Sequence, residues 1–177
     1  MFKKVMILFI IFLTISFSVF SQENSELNPG RLSFGFNFDF GVKLDMTASI
    51  EFGFLLYRSD TIGVRDFISL NVYMLNDKNG LENNILSLSN KIIIDGGNKF
   101  STLNPYTYIE GGIGFFGNDN KELWTTPLTY SVGLGIGLEI FAVKNWSLFF
   151  DTGLNWQFIN NEKDLIQKFT FGTRFYF

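Results

Sequence analysis

Residues 32–44 read Leu-Ser-Phe-Gly-Phe-Asn-Phe-Asp-Phe-Gly-Val-Lys-Leu. Large apolar side chains stand at Leu32, Phe34, Phe36, Phe38, Phe40, Val42 and Leu44, and Ser33, Gly35, Asn37, Asp39, Gly41 and Lys43 lie between them. Successive side chains of a strand point to opposite faces, so this strict alternation describes a β-strand with one apolar face and one polar face. The same period continues along the chain. Ile50, Phe52, Phe54 and Leu56 alternate with small or polar residues, as do Ile68, Leu70, Val72 and Met74. Further segments run through Leu86–Ile94, Thr107–Phe115, Leu128–Ile140, Trp146–Phe158 and Leu165–Phe177. Turn-forming runs such as Asp77-Lys78-Asn79-Gly80, Asp95-Gly96-Gly97-Asn98 and Gly117-Asn118-Asp119-Asn120 separate them. The reading is all-β, with eight strands joined as hairpins. Asn90 breaks the apolar series of the fourth segment and is expected to mark a β-bulge.

Composition narrows the chemistry. Of 177 residues, 46% are hydrophobic and only 18% charged, and the 23 Phe outnumber the 17 acids. Cys and His are both absent. That excludes disulfides, Cys/His zinc sites, thiol nucleophiles and any mechanism that needs an imidazole base. No metal or cofactor is expected. The formal charge of −3 argues against nucleic acid as a partner.

The first residues carry an export pattern. Lys3 and Lys4 precede an uncharged apolar run from Val5 to Phe20, and small residues follow. Residues 1–21 are expected to be a signal peptide cleaved after Ser21, residues 22–30 a short linker and residues 31–177 the barrel. The other reading of the run is a membrane anchor, for which it is short.

Two barrels accommodate eight alternating strands: a lipocalin-like barrel with its apolar face inward, and a membrane barrel with that face outward. Volume separates them. An eight-stranded lumen is just wide enough for side chains to fill it, and the first strand's four Phe together with the large apolar side chains of the others would not fit. The opposite face holds Gly, Ser, Asn and charge. By the alternation its acids are Asp39, Glu51, Glu110, Glu139 and Asp151, and its bases are Lys43, Arg65, Lys91, Lys168 and Arg174. A closed lumen needs such a near-neutral set, because buried charges require partners. Trp146 and Trp156, outward on one strand, stand about 25 Å apart along the membrane normal, the height of an apolar band between aromatic girdles. The expected fold is therefore an eight-stranded antiparallel up-and-down transmembrane β-barrel.

The chain closes with Thr170-Phe171-Gly172-Thr173-Arg174-Phe175-Tyr176-Phe177. Gly172, Phe175 and the terminal Phe177 resemble the C-terminal signal of bacterial outer-membrane barrels, which the barrel assembly machinery reads. With the stretches Asn104–Phe115 and Gly133–Phe141, the chain resembles the small eight-stranded barrels typified by the OmpA transmembrane domain and OmpX. Its bias toward Phe, Ile, Asn and Lys is similar to that of the small OmpA-like barrels of spirochaete outer membranes. The resemblance implies an exported bacterial outer-membrane protein in contact with lipid. It also implies partners such as a host complement regulator, another serum protein or a matrix protein. In this class both termini are periplasmic. Loops near Gly41–Ala48, Leu75–Asn84, Gly117–Pro127 and Ile159–Asp164 then face outward.

Function in such a barrel is expected in the loops. In the third, Leu123 and Trp124 stand beside Asp119, Lys121 and Glu122. This Trp ringed by charge either anchors a partner or packs on the barrel rim. An enzyme is not expected, because the lipid A chemistry of some small barrels uses His. The two function classes are a non-enzymatic surface protein that binds proteins for adhesion or complement-regulator capture, and a narrow porin-like channel or structural protein.

Overall fold

The computed structural model describes residues 31–41, 44–76, 82–96, 102–116, 128–159 and 162–177. Each alternating segment forms one strand: β1 (Leu32–Gly41), β2 (Leu44–Arg58), β3 (Gly63–Asn76), β4 (Glu82–Asp95), β5 (Leu103–Phe116), β6 (Leu128–Val143), β7 (Trp146–Ile159) and β8 (Glu162–Tyr176). Consecutive strands pair antiparallel, and β8 returns to pair with β1, which closes the barrel and removes both sheet edges. No helix occurs among the described residues. The seam is sealed at its last residue: the Phe177 amide donates to the Leu32 carbonyl at 2.9 Å.

Register fixes the dimensions. The Leu55 amide donates to the Arg31 carbonyl. From Leu55 the pairing leads through Arg65, Ile93, Tyr108, Gly135, Gly153 and Lys168 to Gly41. One circuit thus begins opposite residue 31 and returns at residue 41, a shear of ten residues. With about 3.3 Å per residue and about 4.8 Å between strands, the tilt is about 41° and the radius about 8 Å. Such a cylinder holds side chains and little else.

The faces divide as the alternation requires. Phe36, Phe38, Phe52, Ile68, Leu88, Ile109, Ile136 and Phe169 are exposed on the outside. Ser33, Asn37, Glu51, Asn71, Lys91, Glu110 and Arg174 are buried inside. A wall this apolar needs hydrocarbon around it, so the barrel spans a membrane.

The strands reach further than the alternation marks. Thr47 and Ala48 pair with Asp39 and Phe38, and Glu162 pairs with Ile159, so residues expected in loops belong to the sheet. At the end that carries the termini, the Ser59 hydroxyl accepts from the amides of Thr61 and Ile62 and closes the β2–β3 turn. The bulges lie beside turns, between Asp39 and Gly41, Leu55 and Tyr57, and Phe141 and Val143. The bulge expected at Asn90 is absent: Asn90 pairs in unbroken register with Ile68 on one side and Gly111 on the other. A polar residue on an apolar face does not by itself insert a residue into the ladder.

Candidate functional site

Tilt and register also give heights. A step of one residue along a strand changes height by about 2.5 Å, and a step from β1 toward β2 raises it by about 3 Å. The lumen charges then form two layers about 11 Å apart, counted from the end holding the termini.

The lower layer centres on Arg174, whose side chain is fully buried. Its Nε donates to Glu51 Oε1 at 2.5 Å, and its Nη1 lies 3.6 Å from Glu139 Oε1. The guanidinium rests on aromatic rings, with its carbon 3.7 Å from the Phe149 centroid and 4.2 Å from that of Phe67. Those faces stabilise a cation that water cannot reach. Arg65 completes the layer: Nη2 donates to Glu139 Oε2 at 2.7 Å, Nε donates to Asp95 Oδ2 at 2.9 Å, and Nη1 donates to the Tyr176 hydroxyl. Tyr176 and Ser147 in turn donate to Glu139 Oε1 at 2.5 and 2.6 Å. Glu139 thus accepts from three side chains and is 0% exposed.

The upper layer is built from lysines. Lys168 Nζ donates to both oxygens of Glu110 at 2.7 and 2.8 Å, and Asn155 adds a third bond to Glu110 at 2.8 Å. Lys91 Nζ and the Tyr106 hydroxyl both donate to Asp151 Oδ2, at 3.1 and 3.0 Å. Asp39 Oδ1 and the hydroxyls of Thr47, Ser49 and Thr170 are buried without a hydrogen-bond partner in the protein. Orphaned oxygens of this kind are satisfied by internal water. In the lower layer Nη1 and Nη2 of Arg174 also lack a hydrogen-bond partner but lie among aromatic rings that fill the space, so the upper layer is the more hydrated of the two.

Glycines make room for the lumen's rings. Gly137 faces Tyr106 across the β5–β6 pair, and a Cβ there would lie 2.3 Å from the ring's Cζ. Gly172, expected in the assembly signal, gives the same room to Phe149: its Cβ would lie 2.6 Å from Cζ. Of its companions, Phe175 points outward and stacks on Trp146 at 6.4 Å, and Phe177 lies exposed at the lower rim.

Nine of the ten expected lumen charges are buried inside the barrel. The tenth, Lys43, lies outside the described residues, as do Asp119, Lys121, Glu122, Leu123 and Trp124 of the third loop and the whole of residues 1–30. The expected balance of five acids and five bases changes. Among the described residues six acids (Asp39, Glu51, Asp95, Glu110, Glu139, Asp151) face five bases, Arg65, Lys91, Lys168 and Arg174 together with Arg58, which is half-buried at the lower end beside Asp95. Asp95 was expected in a turn, yet it keeps the inward parity of Lys91 and Ile93 and could have been found from it. Parity also marks Phe67, Phe141 and Phe149, which face inward and which a polar lumen did not anticipate.

No protein-family model matches the chain, and no curated protein is similar to it in sequence. Solved structures are similar in fold. Neisserial surface protein A matches with a TM-score of 0.56 at 14% identity, covering 82% of this chain and 94% of the other. The fold is that of the small outer-membrane β-barrels. The outer-membrane enzyme PagL matches this small-barrel fold with a TM-score of 0.53 at 12% identity, over 82% of this chain and 99% of PagL. Ail, the attachment invasion locus protein of Yersinia pestis, solved with the heparin analogue sucrose octasulfate, matches with a TM-score of 0.51 at 13% identity. That match covers 82% of this chain and 96% of Ail.

Proposed function

We propose that this small barrel is a bacterial outer-membrane scaffold that presents loops for protein binding and carries out no catalysis. One observation carries the reading: the layer of Arg174, Glu139, Arg65 and Phe149 fills the lumen, with Arg174, Glu139 and Phe149 each 0% exposed. A plugged wall leaves the rim as the place for function. In this reading the termini lie in the periplasm. Segments 42–43, 77–81, 117–127 and 160–161 then face outward, and Leu123 and Trp124 form the binding anchor with Asp119, Lys121 and Glu122 beside them. The exported chain loses residues 1–21, and the barrel assembly machinery reads Gly172, Phe175 and Phe177. Neisserial surface protein A and Ail, a surface protein and an attachment protein by description, support the reading. PagL is an enzyme, but a chain without His or Cys offers neither imidazole nor thiol for catalysis. The partner class is a host serum or matrix protein, such as a complement regulator.

The test is a pull-down from human serum with the refolded barrel and a Leu123→Ala, Trp124→Ala double variant. Capture of a defined serum protein by the parent and its loss in the variant is the expected result. No capture by either form overturns the reading. The more hydrated upper lumen favours a second reading, a narrow channel closed only by its lower layer, and planar-bilayer conductance then decides.

A further inference from the structure

The outer wall has two different halves. Between the levels of Trp146 and Trp156, strands β7, β8, β1 and β2 carry aromatic side chains such as Phe150, Phe169, Phe171, Phe36, Phe38 and Phe52. The half formed by β3 to β6 carries aliphatic ones: Ile68, Leu70, Leu88, Ile109, Leu134 and Ile136 are 40–62% exposed. In the middle of this smoother half the apolar pattern lapses. Asn90 faces outward between Ile68 and Gly111, and its Nδ2 donates to Asp66 Oδ1 at 2.5 Å. Asp66 is the one acidic or basic residue on the outer wall between the two Trp levels, among the described residues. Asn90 stands about 15 Å above the level of Trp146 and about 10 Å below that of Trp156, deep in the hydrocarbon.

A carboxamide at that depth has no water to bond. Asn90 uses one N–H on Asp66 and keeps a second N–H and its carbonyl. Beside it the wall is notched: Gly111 has no side chain, and a Cβ there would meet nothing nearer than the Ser131 carbonyl at 3.8 Å. Small residues next to a polar group allow two membrane walls to approach closely. An intramembrane polar group is by default a functional site.

We propose that this aliphatic wall is the contact surface of a homodimer within the membrane, with Asn90 of each copy meeting at the two-fold axis. The occupant follows from symmetry. All copies insert in one direction, so the two-fold axis lies along the membrane normal and every residue meets its partner at its own height. A carboxamide is both donor and acceptor, so two Asn90 at equal height complement each other through paired N–H···O bonds. Asp66 acts from below by holding one N–H, which sets the orientation of the amide. Lipid tails offer no such bonds, and the bulkier aromatic half is left to face them.

The chain contains no Cys, so Gly111→Cys supplies a single thiol at the axis, in open space. Phe38→Cys places one at nearly the same height on β1, across the barrel, also exposed. Each protein is reconstituted in phosphatidylcholine vesicles at high lipid excess, oxidised with copper phenanthroline and resolved on a gel that separates folded from unfolded barrel. Gly111→Cys should give a disulfide dimer and Phe38→Cys should not. Adding Asn90→Leu and Asp66→Leu to Gly111→Cys should lower the dimer yield about tenfold while the barrel still migrates as folded. Equal yields from the two walls, no dimer through residue 111, or a yield indifferent to the leucine pair overturns the proposal. The comparison of the two walls needs no leucine variant and decides even if that variant misfolds.

Discussion

The guanidinium of Arg174 lies over the ring of Phe149, its carbon 3.7 Å from the centroid, and both side chains are fully buried. The two residues face inward from neighbouring strands, and Gly172, two residues before Arg174 on β8, leaves the space that the Phe149 ring occupies. One local arrangement thus supplies a cation, its aromatic bed and the plug of the lumen.

Removing that cation strands its acids. Arg174→Met should destabilise the barrel by about 3–5 kcal/mol, because Glu51 loses its ion pair and Glu139 one of two inside a filled, fully buried layer. Arg174→Lys should recover only part of this, since an ammonium keeps the charge and loses the planar stacking. Urea unfolding in detergent, followed by the gel shift between folded and unfolded barrel, measures both. A loss below 1 kcal/mol for Arg174→Met would mean that the layer is wet.

The upper layer should respond less. Lys168→Met removes a two-oxygen contact to Glu110, but Asn155 still bonds that carboxylate and orphaned oxygens nearby mark a hydrated region. The expected cost is about 1–2 kcal/mol in the same assay, clearly smaller than for Arg174→Met. Equal costs would contradict the division of the lumen into a filled lower layer and a more hydrated upper one.

Conductance reports on the plug. The parent barrel should show no steady current in planar bilayers, whereas Glu139→Ala leaves Arg65 and Arg174 short of their shared partner and should raise current. A finite current of equal size in both forms would show that the lower layer does not close the lumen.

Glycine substitutions separate lumen from wall. Gly137→Ala drives a methyl into Tyr106, disturbs the Tyr106–Asp151 bond and should cost about 1–3 kcal/mol. Gly111→Ala points into open space and should leave stability within about 0.5 kcal/mol of the parent. Thermal unfolding in detergent distinguishes the two.

Parity made most of this readable from residues alone. Nine lumen charges and the outward Phe and Trp follow from counting odd and even positions, because a barrel lumen and a lipid face demand opposite chemistry. Pairing was not readable in that way. Arg174 meets Glu51, which is 123 residues away, only because a shear of ten brings β8, β1 and β2 to one height. Strand ends were also hidden. Asp95 looks like part of a Gly-rich turn, and the ladder to Gly63 and Tyr106 extends the inward parity of Lys91 and Ile93 to it. Asn90 illustrates the reverse case, a break in pattern that the backbone absorbs without a bulge and answers with a side-chain bond to Asp66.

The seam between Leu32 and Phe177 has a consequence for how the chain can be made. Seven of the eight strand pairs join neighbours in sequence, and the eighth joins β8 to β1, the two strands farthest apart along the chain. Closure of the cylinder therefore waits for β8, in whatever order the seven hairpins form. The same adjacency makes the chain permutable: a short peptide joining 177 to 32, with new ends cut in the 117–127 segment, should give the same barrel with its start and finish on the opposite rim.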